Sequence, residues 1–309
     1  MKTCFLFPGQ GAQYSGMGRD LWEASEEVKR LFTLVSEATG MDVEKLLFEG
    51  SEEELKATDK TQIAVALVNV ASSTILKSRG IKPEGAAGFS LGEYSALHEA
   101  GIIRLQDLFP IVKARGELME QAARNLDSSG GCAGMAAVVG LTLDKAKEVI
   151  EELAGEEVFA ANFSGPRQIV LAGTAVGLDK AEGVFKEAGA RRYIRLKVSA
   201  PFHSPFLEEA KIGLSKVFEN YTFSDPVIPV YANATGKKIT SGEEAKEMCL
   251  RQAVSTVRWV ELEENLLAAG YERFVEVGPG TVLCGLWKGF SRDLPCQPAG
   301  TLESIEKIV

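Results

Sequence analysis

The 309-residue chain has no apolar run long enough to cross a membrane. Its longest, such as "CFLF" and "AAVV", fall far short of the ~18–20 residues a spanning helix needs. Met1-Lys2 leads into a short apolar stretch that stops at Pro8, with no cleavage-site pattern, so no secretory signal is expected and the cytoplasm is the expected compartment. Five cysteines (Cys4, Cys132, Cys249, Cys284, Cys296) are scattered, odd in number and without a C-x-x-C pair; reduced, mostly buried thiols are expected and a disulfide framework is not. Histidine is scarcer still. His98 and His203 are the only two, at no metal-ligand spacing from each other or from a cysteine, so no metal site is expected. Positive charge is also short: 34 Lys and Arg against 43 Asp and Glu give a net charge of −9. That balance disfavours nucleic acid as a partner, since phosphate binding needs a basic surface. It leaves room for a small anion held by one or two local cations. The dinucleotide fingerprint is missing too: Gly9 and Gly11 in "PGQGAQYSGMG" fit G-x-G, but Tyr14 occupies the next required glycine position, and there is no P-loop lysine.

What is present reads as a soluble α/β protein, 45% hydrophobic and 25% charged. The first third alternates strand and helix signals: "TCFLF", then "RDLWEASEEVKRLFTLVSEATG" as one helix, then "TQIAVALVNVASSTILKSRG" as a mostly buried helix. "EGAAGFS" follows as a strand and "LQDLFPIVKARGELMEQAARN" as a helix with Pro110 near its first turn. Alternating βα units predict a parallel sheet with helices on both faces. Between the glycine-rich "DSSGGCAG" and "SAPFHSP", the order becomes β-α-β-β-α-β over about seventy residues, the pattern of a ferredoxin-like unit. The expected organisation is a discontinuous large domain over 1–127 and 199–309, with a ferredoxin-like insertion over 128–198. The last third predicts helix "PFLEEAKIGLSKVFENY", strand "VIPVYANA", helix "WVELEENLLAAG" and strand "RFVEVG".

Chemistry concentrates at "GFSLGEYSAL". G-x-S-x-G between a strand and a helix is the nucleophile-elbow pattern, in which flanking glycines clear space around a sharp turn that exposes the Ser90 hydroxyl. The helix behind it aims backbone N–H groups at the same spot. A serine N-cap in a glycine-rich loop has the same local appearance. A serine nucleophile needs a base. His98 is carried about 12 Å along the following helix at 1.5 Å per residue and is out of reach. His203, at the end of a strand signal in "VSAPFHSPF", is the remaining imidazole. Arg115 lies on the inward side of an otherwise apolar helix face and requires a carboxylate partner, from the protein or from a substrate.

Together these segments resemble the malonyl-CoA:acyl carrier protein transacylase family, the acyltransferases of bacterial fatty-acid synthesis. The resemblance runs the length of the chain through "FPGQGAQYSGMG", "TQIAVAL", "GFSLGEYSAL", "ARGELM", "ANFSGPRQIVLAG", "SAPFHSPFL", "RQAVSTVRW" and "VEVGPGTVLCGL". It implies a hydrolase-like parallel-sheet core with a ferredoxin-like insertion. It implies Ser90 as the acylated nucleophile and His203 as its base and acid, oriented by the main-chain carbonyl of Gln252 in place of a carboxylate. The amides of Gln10 and Leu91 would form the oxyanion hole and Arg115 would hold the malonyl carboxylate, with Asn162 and Phe202 beside the substrate. Three positions depart from the pattern: Phe89 stands where relatives usually carry histidine, Ser164 where a second asparagine is expected, and Thr256 where proline is usual.

The implied reaction moves malonyl from malonyl-CoA to the phosphopantetheine thiol of holo acyl carrier protein, by a monomer without metal or cofactor. A serine hydrolase on a similar core, an acyltransferase of a polyketide pathway and a silent carrier-binding module are the competing readings. Acidic carrier proteins would need a local basic patch, for which Lys186, Arg191, Arg192, Arg195 and Lys197 are the candidates.

Overall fold

Cys4 to Phe7 carry no charge, and Gly85–Gly88 is built of glycine and alanine alone. Segments of this kind can be buried on both faces, which suits a parallel sheet covered by helices. The computed structural model describes residues 1–128, 133–198 and 200–308. In chain order its first part is β1 (Thr3–Phe7), α1 (Arg19–Ala24), α2 (Glu26–Thr39), α3 (Val43–Phe48), α4 (Thr58–Ser78), β2 (Gly85–Gly88), α5 (Gly92–Glu99) and α6 (Leu105–Ser128). The middle part is β3 (Ala133–Val139), α7 (Leu143–Glu152), β4 (Val158–Gly165), β5 (Gln168–Thr174), α8 (Ala175–Glu187) and β6 (Arg192–Arg195). The last part is α9 (Glu208–Phe218), β7 (Val230–Tyr231), α10 (Gly242–Val254), α11 (Trp259–Ala268), β8 (Arg273–Glu276), α12 (Val282–Phe290), β9 (Cys296–Pro298) and α13 (Leu302–Glu306).

Among the described residues, two sheets form. One is parallel throughout, in the order β7-β2-β1-β8-β9. The other is antiparallel, in the order β4-β5-β3-β6, the arrangement a ferredoxin-like β-α-β-β-α-β unit makes. The expected fold class, a parallel-sheet core with a ferredoxin-like insertion, holds. Each sheet has its own apolar core: α4 is buried almost all round against the parallel sheet, while Leu171, Leu178 and Phe185 fill the space between the antiparallel sheet and its helices. The glycine-rich linker, with Cys132, and Ser199 at the second expected boundary lie largely or wholly outside the described residues.

Several elements differ from the sequence reading. The expected single helix over 19–40 is two, broken at Ser25, whose extended backbone lets its hydroxyl accept from the Val28 amide and cap α2. Strand β7 is two residues long, because Pro226 and Pro229 remove ladder donors in "DPVIPV". Helix α6 begins at Leu105 as read, with Pro110 its sixth residue. Helices α3, α10, α12 and α13 and strand β9 were not anticipated, although Ser241 and Glu244 form the S-x-x-E start of α10, with the Ser241 hydroxyl accepting from the Glu244 amide at 3.1 Å.

Strand β4 of the antiparallel sheet meets the larger domain along a seam at the segment between α10 and α11. Val257 donates its amide to the Ala161 carbonyl (2.8 Å) and accepts from the Phe163 amide (2.9 Å), and the Thr256 hydroxyl donates to the Ala160 carbonyl (2.7 Å). This seam coincides with an irregularity in β4 between Ala160 and Asn162, where Asn162 bridges to Val257. Within the parallel core α5 crosses tightly over β1: a Cβ on Gly92 would overlap the Phe7 carbonyl. Gly92→Ala is therefore expected to cost about 1–3 kcal/mol through overpacking, read as a lowered denaturation midpoint in urea.

Candidate active site

The carboxyl ends of parallel strands are where open α/β sheets bind ligands. Ser90 follows β2 directly, at φ 53°, a left-handed conformation that few non-glycine residues adopt. The turn is held from three sides. The Ser90 amide donates to Asn233 Oδ1 (2.6 Å), Asn233 Nδ2 donates to the Gly88 carbonyl (2.6 Å), and the Ser90 carbonyl accepts from Gln252 Nε2 (2.9 Å). Gly9 lets the turn after β1 approach: a Cβ there would overlap the Phe89 carbonyl and stand 3.5 Å from the Leu91 nitrogen. Gln10 and Leu91 follow these two closely approaching turns, and the amide of neither donates to a protein acceptor among the described residues.

His203 also has a left-handed backbone, φ 58°. Its Nε2 is 2.7 Å from Ser90 Oγ and its Nδ1 is 2.8 Å from the Gln252 carbonyl oxygen. A carbonyl can only accept, so Nδ1 carries the proton and Nε2 presents its lone pair to the serine hydroxyl. Burial drives the imidazole pKa down to about 4; the Gln252 carbonyl opposes this shift and the Arg115 charge adds to it. The ring is therefore neutral at pH 7.

Arg115, projecting from α6, is 2% exposed and forms no ion pair among the described residues. Its partners are neutral: Nη1 donates to Gln62 Oε1 (2.7 Å), Nη2 to Gln252 Oε1 (3.0 Å) and to Ser90 Oγ (3.4 Å), and Nε has no acceptor. Behind this layer Glu93 is fully buried, accepting from Gln252 Nε2 and from the Asn233 amide (3.3 Å). Burial pushes the Glu93 carboxyl up to about 8, against the pull of these donors and of Arg115.

Ser90, His203, Arg115, Gln10, Asn162 and Phe202 all line one cavity of about 140 Å³. Leu91 lies behind Ser90, and Gln252 backs the wall. Asn162 has a buried Oδ1 without a hydrogen-bond partner among the described residues. Phe89 packs against Trp259 with the rings tilted, centroids 5.2 Å apart, and so fills the flank of the elbow with apolar packing. Two other candidates are not drawn in. His98 bonds the Ile103 carbonyl at 2.9 Å near the far end of α5. In the basic cluster, Lys186 is paired with Glu182 (2.6 Å) and Arg195 with Asp179 (3.0 Å). Sequence reasoning missed Gln62, Glu93 and Asn233. Only Glu93 carried a signal, as an acid three residues after Ser90 at a helix start.

Residues 4–301 match the acyl transferase domain family. The chain belongs to that family. It is 39% identical over 307 residues to the malonyl CoA-acyl carrier protein transacylase of Bacillus subtilis, covering 99% of this chain and 95% of the relative. Among solved acyl transferase structures, the malonyl CoA-acyl carrier protein transacylase of Clostridium perfringens superposes with a TM-score of 0.94 at 36% identity, over 100% of this chain and 96% of the other. A malonyl-transacylase in complex with its type II PKS acyl-carrier protein superposes at 0.93, with 34% identity over 99% and 98% of the two chains.

With only two histidines in this acyl transferase, their ring signals are separable by NMR. The His203 resonances should titrate with a midpoint near pH 4. A midpoint near 6.5 would mean that the imidazole is not buried as described.

Proposed function

We propose that this acyl transferase moves a malonyl group from malonyl-CoA to the phosphopantetheine thiol of an acyl carrier protein through a seryl ester on Ser90. The observation that carries the reading is Arg115, a buried guanidinium without a protein carboxylate, whose Nη2 is 3.4 Å from Ser90 Oγ. A substrate carboxylate would complete its pairing, and only an acyl group with a free acid at its far end supplies one.

In the first half-reaction Ser90 Oγ attacks the thioester carbon while His203 Nε2 takes its proton. The Gln252 carbonyl holds the resulting imidazolium through Nδ1–H and stands where a triad carboxylate stands elsewhere. The Gln10 and Leu91 amides face the developing oxyanion, a kind of donor worth about 3–4 kcal/mol each. His203 then returns the proton to the departing CoA thiolate. In the second half-reaction the phosphopantetheine thiol gives its proton to His203, its sulfur attacks the ester, and Ser90 leaves reprotonated. No metal or cofactor takes part. Phe202, lining the cavity beside His203, leaves little room for an α-methyl branch, which favours malonyl over methylmalonyl. With Lys186 and Arg195 already paired, the exposed Arg191, Arg192 and Lys197 remain for docking an acidic carrier protein.

Intact-protein mass spectrometry after malonyl-CoA should reveal one malonyl adduct, which holo carrier protein then removes. Ser90→Ala should form none; an adduct on that variant would sink the seryl ester. Arg115→Ala should lose about tenfold or more in the malonyl-over-acetyl ratio of acylation rates, the equivalent of one hydrogen bond to a charged group at about 1.5–3 kcal/mol. The acylation rate should fall only as the pH drops through about 4, where the base becomes protonated, and stopped-flow acylation against pH reads that limb directly.

A further inference from the structure

Away from the acyl cavity, a second and larger cavity of about 500 Å³ opens between α12 and β9. Cys284, Cys296, Lys288 and Arg292 are among its lining residues. Cys284 is in the first turn of α12, and Cys296 begins β9, the edge strand of the parallel sheet. Both are half-buried and free, and their sulfurs are 3.0 Å apart. Cys4 and Cys249, by contrast, are buried.

Glu276, at the end of β8, brings a carboxylate within ligand distance of the pair, so a shared cation has to be weighed first. Two thiolates on one tetrahedral zinc, at about 2.3 Å each, stand about 3.8 Å apart. The observed separation is shorter than that, and closing it to a disulfide bond of about 2.05 Å takes roughly 1 Å of movement. Both Glu276 oxygens already accept backbone amides at the start of α12, from Leu283 (2.9 Å) and Cys284 (2.7 Å). Lys288 and Arg292 add positive charge to the same cavity. The site suits sulfur–sulfur chemistry with an anionic oxidant better than it suits a cation.

We propose that Cys284 and Cys296 form a reversible dithiol–disulfide site, oxidised through this cavity by low-molecular-weight disulfides. One cysteine thiolate attacks a sulfur of the oxidant, whose S–S bond breaks and releases one thiolate. The second cysteine thiolate then attacks the protein-side sulfur of the mixed disulfide, forming the Cys284–Cys296 bond and expelling the other half of the oxidant. Two electrons pass from the cysteine pair to the oxidant, and the two cysteine protons end on the two released thiols. The hydrogen bond to Cys296 and burial hold the Cys284 thiol above its ordinary range, with Glu276 acting in the same direction. Exchange is accordingly slow near neutrality and quickens as the pH rises. The bridge would tie the first turn of α12 to the sheet edge without involving Ser90 or His203.

Wild-type protein treated with glutathione disulfide at mildly alkaline pH should lose two hydrogens in intact mass. A non-reducing digest should yield the peptides carrying Cys284 and Cys296 as one linked species that dithiothreitol separates. Cys284→Ser and Cys296→Ser should each stop at a single glutathione adduct on the remaining partner. A bridge to Cys4, Cys132 or Cys249, a persistent glutathione adduct on the wild-type pair, or no reaction at all would overturn the proposal. So would stoichiometric zinc held by both thiols in the purified protein.

Discussion

A guanidinium buried without a counter-carboxylate is the most demanding interaction in this protein, and the surrounding structure is arranged around it. Removing an ion from water costs several kcal/mol unless other dipoles replace the lost hydration. Here the replacements are two glutamine carbonyls, one from α4 and one from α10, with the Tyr94 ring 5.3 Å from the guanidinium carbon. Gln252 is the hub. Its side-chain oxygen accepts from Arg115, its side-chain nitrogen donates to Ser90 and Glu93, and its main-chain oxygen orients His203. One residue therefore fixes the acyl-recognition group, the nucleophile turn and the imidazole tautomer together.

The same arrangement explains where strain is tolerated. Among the described residues, Ser90, Glu157 and His203 are the non-glycine positions with positive φ, and two of the three face each other across the cavity. Such conformations cost of order 1–3 kcal/mol each and persist where the neighbours over-determine them. Asn233 and Gln252 hold the first, while the second is buried and anchored through Nδ1. An imidazole kept neutral by its surroundings and a hydroxyl lifted off its strand are thus maintained by packing that forms when the chain folds.

Much of this was legible in the order of residues. The period of the apolar positions marked the strands of both sheets except β9, and scarcity itself was informative: with two histidines and one out of reach, His203 followed. What stayed hidden depends on side chains meeting across long stretches of chain. Asn233 is 143 residues from Ser90, and nothing local marks it as the acceptor for that amide. Gln62 lies on a helix whose burial all round erases the amphipathic stripe that would have singled it out. Glu93 could be read locally, but its fully buried state depends on α10, which sequence periodicity did not reveal. The break at Ser25 went unseen because a capping serine inside a continuous apolar pattern leaves the period intact.

The seam at Val257 has a further meaning. Met135, Asn162, Val170, Leu196 and Val198, on one wall of the acyl cavity, come from the antiparallel sheet or the chain just after it. Ser90, Gln10 and Arg115 come from the parallel core. The reacting groups and Arg115 thus sit in one layer, while part of the chamber's wall is supplied by another that meets it at Val257. An engineer, or natural variation, can remodel the outer wall for a different acyl group while the inner machinery stays as it is.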